Sequence, residues 1–297
     1  MSDALPHISI CICTFKRPGL LERLLREVER QDTGGRFTFS VTVVDNDRLE
    51  SARQTVEAFA ARSTMQVAYG VEPRQNIALA RNRSIELARG SFIAFIDDDE
   101  FPETSWLHQM FDACERLDVA GVLGPVRPYF EQPPPAWITR GGFCDRPEYD
   151  TGREMPWEEC RSGNVLFRRS ILGESAPFRE EFGNGGEDKD FFMRMTQKGH
   201  VFRWCNEGVT NETVPPERWT RGFMLRRALL RGKNILKHPE GRSRLVMESF
   251  VAVPIYAIAL PLTLVAGQHV FMKYCIKFCD HAGRLLGVLG INPVDAR

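Results

Sequence analysis

Short apolar strands alternate with helices over the first hundred residues, and this alternation constrains the fold more than any other feature. Residues 7–13 (HISICIC) form an apolar, β-branched stretch typical of a buried strand, and leucines recur at helical spacing over residues 20–28. Further strands are predicted over residues 37–44, 65–69 and 91–96, with helices over about 49–62 and 76–89. Strand and helix in regular succession predict an α/β fold with a mostly parallel sheet and right-handed crossovers.

Composition and chain length are compatible with such a fold. The 297 residues are 43% apolar and 26% charged, values that exclude a largely disordered or collagen-like chain. The length is sufficient for one large α/β domain or two smaller ones. Prolines make the stretch 125–160 loop-rich, and another strand is predicted over 163–167.

The formal net charge of zero conceals an uneven distribution. Residues 217–247 carry nine basic and two acidic side chains, and residues 250–272 contain no Asp, Glu, Lys or Arg. A basic stretch beside an uncharged apolar one predicts contact with a membrane, the positive side facing the cytoplasm. Because Pro254 and Pro261 interrupt helical hydrogen bonding, a spanning helix, a kinked or re-entrant segment, surface attachment and a buried soluble helix pair all stay open.

Aromatic and aliphatic residues are interleaved with the arginines of the basic stretch, which favours a helix in the lipid headgroup layer. Nucleic acid is the competing partner for such a patch, but the adjoining apolar run and the zero net charge favour lipid, so we expect no nucleic acid partner. The apolar members of this segment are Trp219, Phe223, Met224, Leu229 and Leu230.

Cysteine usage indicates a reducing compartment. The eight cysteines are scattered without a CxxC pair or zinc-finger spacing, and the first ten residues lack the pattern of a secretory signal. Cys11 and Cys13 alternate with isoleucines, which predicts that they fill space in the core. We therefore expect the chain to begin in the cytoplasm.

Polar residues follow three of the predicted strands, at positions 14–17, 45–47 and 97–99. Ligands of parallel α/β sheets gather at the carboxyl ends of the strands, so these segments are expected to converge on one crevice. Four consecutive acids at 97–100 suit a hard divalent cation, Mg²⁺ or Mn²⁺, that bridges to substrate phosphates. The alternative for these acids is a solvated turn before the next helix.

A second acidic motif, GGEDKDFF, covers residues 185–192. Glycines before acids at a helix start place carboxylates on a movable loop, as a general base requires. Ordinary helix capping by Asp188 or Asp190 is the alternative. Arg81 and Asn82, in the sequence ALARN, are candidates for contacting a phosphate or a nucleobase, or else belong to a solvated helix face. No Walker loop or GxGxxG turn is present, which argues against a P-loop nucleotide and against NAD.

The ordered set TFKRP, VVDND, ALARN, FIDDDE, SGNVLFRR and GGEDKDF resembles the inverting family 2 glycosyltransferases with the GT-A fold, over about residues 6–215. The segments 211–234 and 279–293 are similar to the succinoglycan-biosynthesis glucosyltransferases of the ExoM type. The resemblance implies a GT-A catalytic domain over residues 1–215. Residues 216–297 then form a basic amphipathic and hydrophobic helical region for membrane association.

The resemblance also implies roles for individual residues. Asp97 and Asp99 match the DxD motif that holds a metal–diphosphate group, and Asp188 matches the catalytic base, with Glu187 beside it for the acceptor. The nucleotide-sugar site would comprise Thr14, Phe15, Arg17, Asp45, Asn46, Arg81, Asn82, Asp97, Asp98, Gly163 and Asn164. Of these, Asp45 and Asn46 would lie near the base, Asp98 near the ribose or donor sugar, and Gly163 and Asn164 beside the donor sugar.

The implied activity is metal-dependent, inverting transfer of a hexose, with glucose favoured, from a nucleoside-diphosphate sugar, with a UDP-sugar favoured. The expected acceptor is a lipid-linked glycan, in bacterial exopolysaccharide or surface polysaccharide synthesis at the cytoplasmic face of the inner membrane. A sugar nucleotidyltransferase and a non-catalytic membrane scaffold of the same fold are the alternatives. The single glycine in TFKRPGLLERL disfavours the former, and the intact acidic motifs disfavour the latter.

Overall fold

The computed structural model describes residues 5–173, 176–183, 185–236 and 242–292. Two compact units are present: one contains the described residues of Met1–Pro128 and Arg146–Thr213, the other those of Tyr129–Asp145 and Val214–Arg297. The predicted domain boundary at residue 215 stays a prediction. Asn184 of the glycine-rich loop, and Lys237 and Glu240 of the basic stretch, lie outside the described residues.

The first unit is built on a seven-stranded sheet that confirms the predicted mixed α/β, mostly parallel architecture. The strands and helices between residues 7 and 213, in chain order, are β1 (His7–Thr14), α1 (Pro18–Glu29), β2 (Thr38–Asp45), α2 (Arg53–Ala60), β3 (Val67–Val71), α3 (Ile77–Leu87), β4 (Phe92–Ile96), β5 (Glu100–Pro102), α4 (Trp106–Arg116), β6 (Gly121–Leu123), β7 (Val126–Tyr129), α5 (Ala136–Gly141), β8 (Asn164–Arg168), α6 (Glu187–Gln197), β9 (Phe202–Trp204) and β10 (Thr210–Thr213). Of these, α5 belongs to the second unit. The strand order is β3-β2-β1-β4-β8-β6-β9.

Strands β1 to β4 are mutually parallel, so their carboxyl ends lie at one edge of the sheet. β8 is antiparallel to both β4 and β6, and it pairs Asn164 with Ile96, the last residue of β4. A second, three-stranded sheet has the order β5-β10-β7, and its antiparallel pairing puts Glu212 opposite Glu100. Residues that follow β1, β4 and the loop before β8 are thereby brought to one edge.

Alternate residues of the central strands supply two cores, one on each face of the sheet. Ile8, Ile10 and Ile12 of β1 pack with the leucines of α1 and with α4. Cys11, on the opposite face, packs with α3 and α6, in a cluster that includes Phe95. The period of two along β1 matches a strand buried on both faces. Each cysteine of the chain is a free thiol.

The second unit contains three long C-terminal helices besides α5: α7 (Arg221–Ile235), α8 (Arg242–Thr263) and α9 (Gln268–Val288). α8 continues as one helix through Pro254 and Pro261, the two residues that interrupt helical hydrogen bonding in this stretch. α8 is the one helix within the described residues that is long and apolar enough to cross a membrane. Only 6% of its most apolar 18-residue stretch is buried.

The aromatic face predicted for the basic segment is formed only in part. Trp219 precedes α7 in a 3-10 turn, is 9% exposed, and packs against Ile138 and Val214 in a small core. Its indole ring therefore does not lie on a lipid-facing helix surface. Phe223, on α7 itself, is exposed.

Candidate active site

The crevice at the carboxyl edge of the sheet is closed by hydrogen bonds between the end of β1 and the acids after β4. Thr14 donates from Oγ1 to Asp98 Oδ2 at 2.8 Å. Arg17 donates from Nη1 to Asp98 Oδ1 at 2.9 Å and to Asp99 Oδ2 at 3.1 Å. These bonds bring together two of the three segments that were predicted to converge. Phe15, between Thr14 and Arg17, is half-buried and carries the Lys16 ammonium over its ring.

The segment after β2 lies beside the same edge, but its polar side chains bind the chain itself. The buried Asp45 carboxylate accepts hydrogen bonds from the backbone of Asp47 (3.0 Å) and Ala52 (2.7 Å) and from the Tyr69 hydroxyl (3.2 Å). Asn46 donates to the carbonyl oxygen of Glu72 at 2.9 Å. These contacts shape the loop, and the predicted contact of Asp45 and Asn46 with a base stays a prediction.

Arg81 connects the two acidic motifs of the site. It lies on α3 with a side chain that is 8% exposed, donates from Nη1 to Glu187 Oε1, and places Nη2 3.6 Å from Asp97 Oδ1. Its guanidinium also lies over the ring of Phe178, 5.6 Å from the centroid. The alternative of a solvated helix face is therefore wrong for Arg81. Its charge compensates carboxylates from both the DDDE and the GGED segments.

Asn82, the neighbour of Arg81, is buried for a different reason. Its amide donates to the Phe178 carbonyl oxygen at 2.7 Å and accepts from the Phe178 N–H at 2.9 Å. Both polar ends of the side chain are thus used to hold the segment before α6 against α3. The structure gives Asn82 a role in positioning this segment.

The GGED motif places its two acids in different surroundings at the start of α6. Gly185 and Gly186 have φ of +113° and +102°, a region in which L side chains are strained. Glu187 is buried against Arg81, whereas Asp188 is half-buried. Burial, opposed by the charge of Arg81 and reinforced by that of Asp188, raises the pKa of Glu187.

The capping alternative for these acids does not describe the structure. The residue before α6 is Gly186, and no side chain caps the helix. Asp190 is buried and forms ion pairs with Arg194 at 2.8 Å and with Arg179 at 3.4 Å. Asp190 therefore stabilises the start of α6, and Asp188 is the acid of the motif that retains access to solvent.

The acids after β4 differ in exposure. The Asp97 side chain is 48% exposed, while Asp98, Asp99 and Glu100 are buried. Burial raises the pKa of Asp98 to about 6, against the opposing effect of Arg17 and Thr14. Desolvation within the surrounding chain also raises the pKa of Asp97, although this carboxylate still reaches solvent, and it raises that of Glu100 well above its ordinary value. Crowded, desolvated acids of this kind are stabilised by a cation.

A divalent cation fits the donors that are present here. Glu100 is buried with one carboxylate oxygen, Oε1, that has no hydrogen-bond partner. A Cβ on Gly163 would lie 2.8 Å from that oxygen and 3.0 Å from Asp97 Oδ2, so the missing side chain leaves room between the two acids. No cluster of three or more acidic, His or Cys ligands occurs in the described parts of the chain. Mg²⁺ commonly binds through only one or two carboxylates plus substrate phosphates, and Asp97 and Asp99 supply that number.

Asn164, which was expected beside a donor sugar, is committed to the protein. Its Oδ1 accepts from Trp106 Nε1 at 2.8 Å, and its Nδ2 donates to the carbonyl oxygens of Pro125 and Gly208. The buried amide thus joins α4 to two loops at the start of β8. It fixes the backbone at Gly163, which borders the acids.

Further charged residues, which belong to none of the sequence motifs, lie around the site. Arg146 donates a hydrogen bond to Glu212, which lies opposite Glu100 in the pairing of β5 with β10. The Asp188 carboxylate attracts the Arg161 guanidinium electrostatically. A cavity of about 130 Å³ opens beside them and is lined in part by Arg146, Arg161, Tyr149 and Trp204. The pairing of Glu212 with Glu100 joins residues 112 positions apart, and local sequence patterns carry no signal for it.

Comparison with known proteins decides the family. Residues 9–175 match the family model described as Glycosyl transferase family 2. The chain is also 34% identical to the succinoglycan biosynthesis protein ExoM of Rhizobium meliloti (strain 1021), over 97% of this chain and 95% of that protein. The chain belongs to glycosyl transferase family 2.

Other relatives agree with this membership at greater distance. The glycosyltransferase AglE of Haloferax volcanii is 24% identical over 97% of this chain and 98% of its own length. Among solved structures, the mannosyltransferase PcManGT from Pyrobaculum calidifontis in complex with GDP-Man and Mn²⁺ has a TM-score of 0.62 at 16% identity, covering 98% of this chain and 89% of that one. S. aureus TarS 1–349 in complex with UDP has a TM-score of 0.55 at 15% identity, covering 97% and 93%.

These likenesses confirm the predicted GT-A fold and identify the chain as a glycosyltransferase. The described crevice combines three features: acids after β4, a half-buried carboxylate at the start of α6, and arginines that compensate acids of both segments. All three belong to the first unit.

Proposed function

We propose that the protein is a metal-dependent, inverting glycosyltransferase that moves a hexose, with glucose favoured, from a nucleoside-diphosphate sugar to a lipid-linked glycan. The favoured donor is a UDP-sugar, and the product belongs to bacterial exopolysaccharide or another surface polysaccharide. Support comes from the similarity to a succinoglycan biosynthesis protein along nearly the whole of both chains. UDP and UDP-GlcNAc occur in complexes of the structural neighbour TarS.

The observation that carries the proposal is the position of Arg81 between Asp97 and Glu187. One buried guanidinium places the DxD acids and the acids at the start of α6 in the same crevice. A glycosyl transfer requires this proximity, because the leaving diphosphate and the attacking hydroxyl act at the same anomeric carbon. Arg17, which pairs with Asp98 and Asp99, supplies a second cation at the nucleotide side.

Asp188 is assigned as the general base and Glu187 as its positioning neighbour. The Glu187 carboxylate is paired with Arg81, whereas Asp188 is half-buried and its Oδ1 accepts the backbone N–H of Lys189 at 2.8 Å. Asp188 takes the proton of the acceptor hydroxyl as its oxygen attacks the anomeric carbon. The bond to the diphosphate breaks with inversion, and the electron pair leaves on the nucleoside diphosphate.

Asp97 and Asp99 would hold Mg²⁺ or Mn²⁺. When bound, the cation offsets the negative charge that develops on the leaving diphosphate. Arg17 keeps Asp98 and Asp99 in fixed orientations, and Thr14 fixes the second oxygen of Asp98. Both residues therefore preorganise the acids before the donor arrives.

The acceptor is proposed to enter beside Tyr149 and Trp204, in the cavity that Arg161 and Arg146 also line. The two aromatic rings are perpendicular, with centroids 5.2 Å apart, and present apolar surface to a sugar ring. The lipid portion of the acceptor would remain in the cytoplasmic leaflet of the inner membrane. The apolar helix α8 and the basic residues of α7 support this location.

The test is a screen of UDP- and GDP-sugars with Mn²⁺ or Mg²⁺, using membrane lipid extract as the acceptor. Asp188→Asn is expected to lower turnover by about 10²–10⁴-fold with donor affinity retained. Asp99→Ala is expected to lose both, and Glu57→Gln, an exposed acid on α2, neither. A fully active Asp188→Asn enzyme would refute the base assignment.

The same assay, run in parallel with nucleoside triphosphates and sugar 1-phosphates, separates the two alternatives. A nucleotidyltransferase releases pyrophosphate from a nucleoside triphosphate, whereas the proposed enzyme releases a nucleoside diphosphate. A non-catalytic scaffold releases neither with any donor. Either result would replace the proposed function.

A further inference from the structure

The three C-terminal helices are held together so closely that they must meet a membrane as one body. A Cβ on Gly232 of α7 would lie 2.1 Å from the Asp280 carbonyl oxygen, and one on Gly283 of α9 would lie 2.2 Å from that of Leu229. The backbones of α7 and α9 therefore touch at two points. The Arg231 guanidinium adds two hydrogen bonds to the Asp280 carboxylate, at 2.9 and 2.7 Å.

α7 is parallel to α9. Arg221, at the start of α7, lies against Gln268, the first residue of α9. Lys233, near the end of α7, donates to Asn292, which follows α9, at 2.7 Å. The charged residues of α7 are therefore distributed along the whole length of α9.

α8 is antiparallel to α9 and is connected to it by only four residues, 264–267. The buried Ser249, near the start of α8, is 3.0 Å from His281 Nδ1, near the end of α9. Tyr256 packs its ring on Tyr274, with centroids 5.6 Å apart. One side of α8 is thus occupied by α9, and polar contacts as well as apolar ones fix the pair.

The other side of α8 is apolar, and within the described residues it is exposed. Val251, Ile255, Ile258 and Leu262 are 58–75% exposed, and Val265 in the connecting loop is 92% exposed. No charged residue occurs between positions 250 and 272. An exposed apolar surface of this extent indicates a contact with lipid or with another protein.

Charge decides between these occupants and also excludes a simple crossing. Residues 214–297 carry 13 basic and 5 acidic residues, which favours an anionic bilayer over a second copy of the same positive segment. Were α8 to cross the bilayer with α9 and α7 attached, the exposed Lys273 and Lys277 and the arginines of α7 would enter the hydrocarbon. Charged side chains at that depth are strongly unfavourable.

We propose that α8 and the loop 264–267 lie in the plane of one leaflet of an anionic bilayer, and that α7, α9 and the C-terminus stay on the same side of the membrane. The apolar side of α8 is buried at the boundary between the lipid headgroups and the acyl chains, and basic side chains of the bundle bind the anionic headgroups. This inference deepens the proposed function at a lipid-linked acceptor, since it keeps the whole chain at the leaflet from which the acceptor is used.

Reporter fusions to the C-terminus of the full chain test the topology in bacterial cells. Green fluorescent protein is expected to fluoresce, and alkaline phosphatase, which is active only after export, is expected to be inactive. Fusions to the N-terminus serve as the cytoplasmic reference. An active C-terminal phosphatase would show that α8 crosses the membrane and would overturn the proposal.

Vesicle flotation of the purified full chain tests the surface itself. Binding is expected to be at least tenfold stronger to vesicles of phosphatidylcholine with phosphatidylglycerol than to phosphatidylcholine alone. The double variant Ile258→Glu, Val265→Glu is expected to bind at least tenfold more weakly, whereas Leu49→Glu, at a 74% exposed leucine of the first unit, is expected to bind like the wild type.

Two readouts separate the possible failures. If the double variant turns a wild-type dimer into a monomer and wild-type protein ignores both vesicles, α8 contacts a second copy and the proposal is wrong. Nucleoside-diphosphate release by the double variant with soluble donor is expected to match the wild type. Absence of that release in both proteins, with vesicle binding intact, would remove the proposed function and leave the membrane inference standing.

Discussion

Replacement of Arg81 by Met is the sharpest perturbation of the crevice. The side chains of Arg81 and Glu187 are each 8% exposed, and the guanidinium also faces Asp97 at 3.6 Å. Arg81→Met retains most of the apolar length that packs against Phe178 but removes the charge. Glu187 is then left as a buried carboxyl without its cation.

Breaking a buried ion pair from one side costs about 3–5 kcal/mol, because the remaining charge keeps its desolvation penalty. Arg81→Met and Glu187→Leu are therefore each expected to lower the free energy of unfolding by about that amount at pH 8. The double variant removes both charges and is expected to recover most of the loss, since apolar residues replace a buried pair at little net cost. The coupling energy, which is the sum of the two single losses minus the smaller loss of the double variant, is therefore expected to exceed about 4 kcal/mol.

Urea unfolding of the four proteins, monitored by circular dichroism, measures the cycle. Arg83 and Glu86 form an exposed pair at 2.9 Å on the same helix and provide the matched control, for which coupling is expected to lie within the error of the measurement. Additive losses at Arg81 and Glu187 would refute the view that one buried guanidinium binds the two acidic motifs together.

Two further predictions concern the acids after β4. Gly163→Ala places a methyl group 2.8 Å from Glu100 Oε1 and 3.0 Å from Asp97 Oδ2, so Mn²⁺ affinity measured by isothermal titration calorimetry is expected to fall at least tenfold with the fold retained. The control Gly173→Ala, whose methyl group meets no atom within 4 Å, is expected to leave Mn²⁺ affinity unchanged. Equal affinities of the two variants would contradict the assigned site. In protein stripped of metal by EDTA, Asp98 binds its proton more tightly in the folded state, because burial raises its pKa to about 6 from an ordinary value of 3.8. Its contribution to stability is therefore full below about pH 4 and is lost as pH rises through 6, by about 3 kcal/mol, and Asp98→Asn is expected to reduce that slope by one proton.

The crevice was predictable from sequence because it follows from the geometry of parallel strands. Residues 14–17 and 97–99 follow neighbouring strands, so the parallel order β2-β1-β4 brings their side chains together without further information. The acids of the GGED motif were also recognisable, since glycines before acids mark a helix start. In each case the signal lies within about ten residues of sequence.

The roles of Asn82 and Asn164 were not predictable, for a physical reason. Asn82 bonds to the backbone of Phe178, 96 residues away, and the nearest partner of Asn164 by sequence is 39 residues away. An amide that satisfies a distant backbone looks, in sequence, like one available for a ligand. The sequence also left open how the chain runs through Pro254 and Pro261, and α8 accommodates both prolines within one helix.

The zero net charge of the chain is a poor guide to its partners, because electrostatic attraction acts over short distances. Residues 1–213 carry 26 basic and 34 acidic residues, while residues 214–297 carry 13 and 5, so charges of −8 and +8 cancel only in the total. Screening limits attraction to about 8 Å at physiological ionic strength. A membrane therefore responds to the segment at its surface, and the positive C-terminal segment is attracted even though the whole chain is neutral. The excess of acids in residues 1–213 includes the carboxylates of the crevice, which need cations to be buried. One neutral sum thus contains two opposite local charges, which match the proposed cation in the crevice and the proposed anionic surface for the bundle.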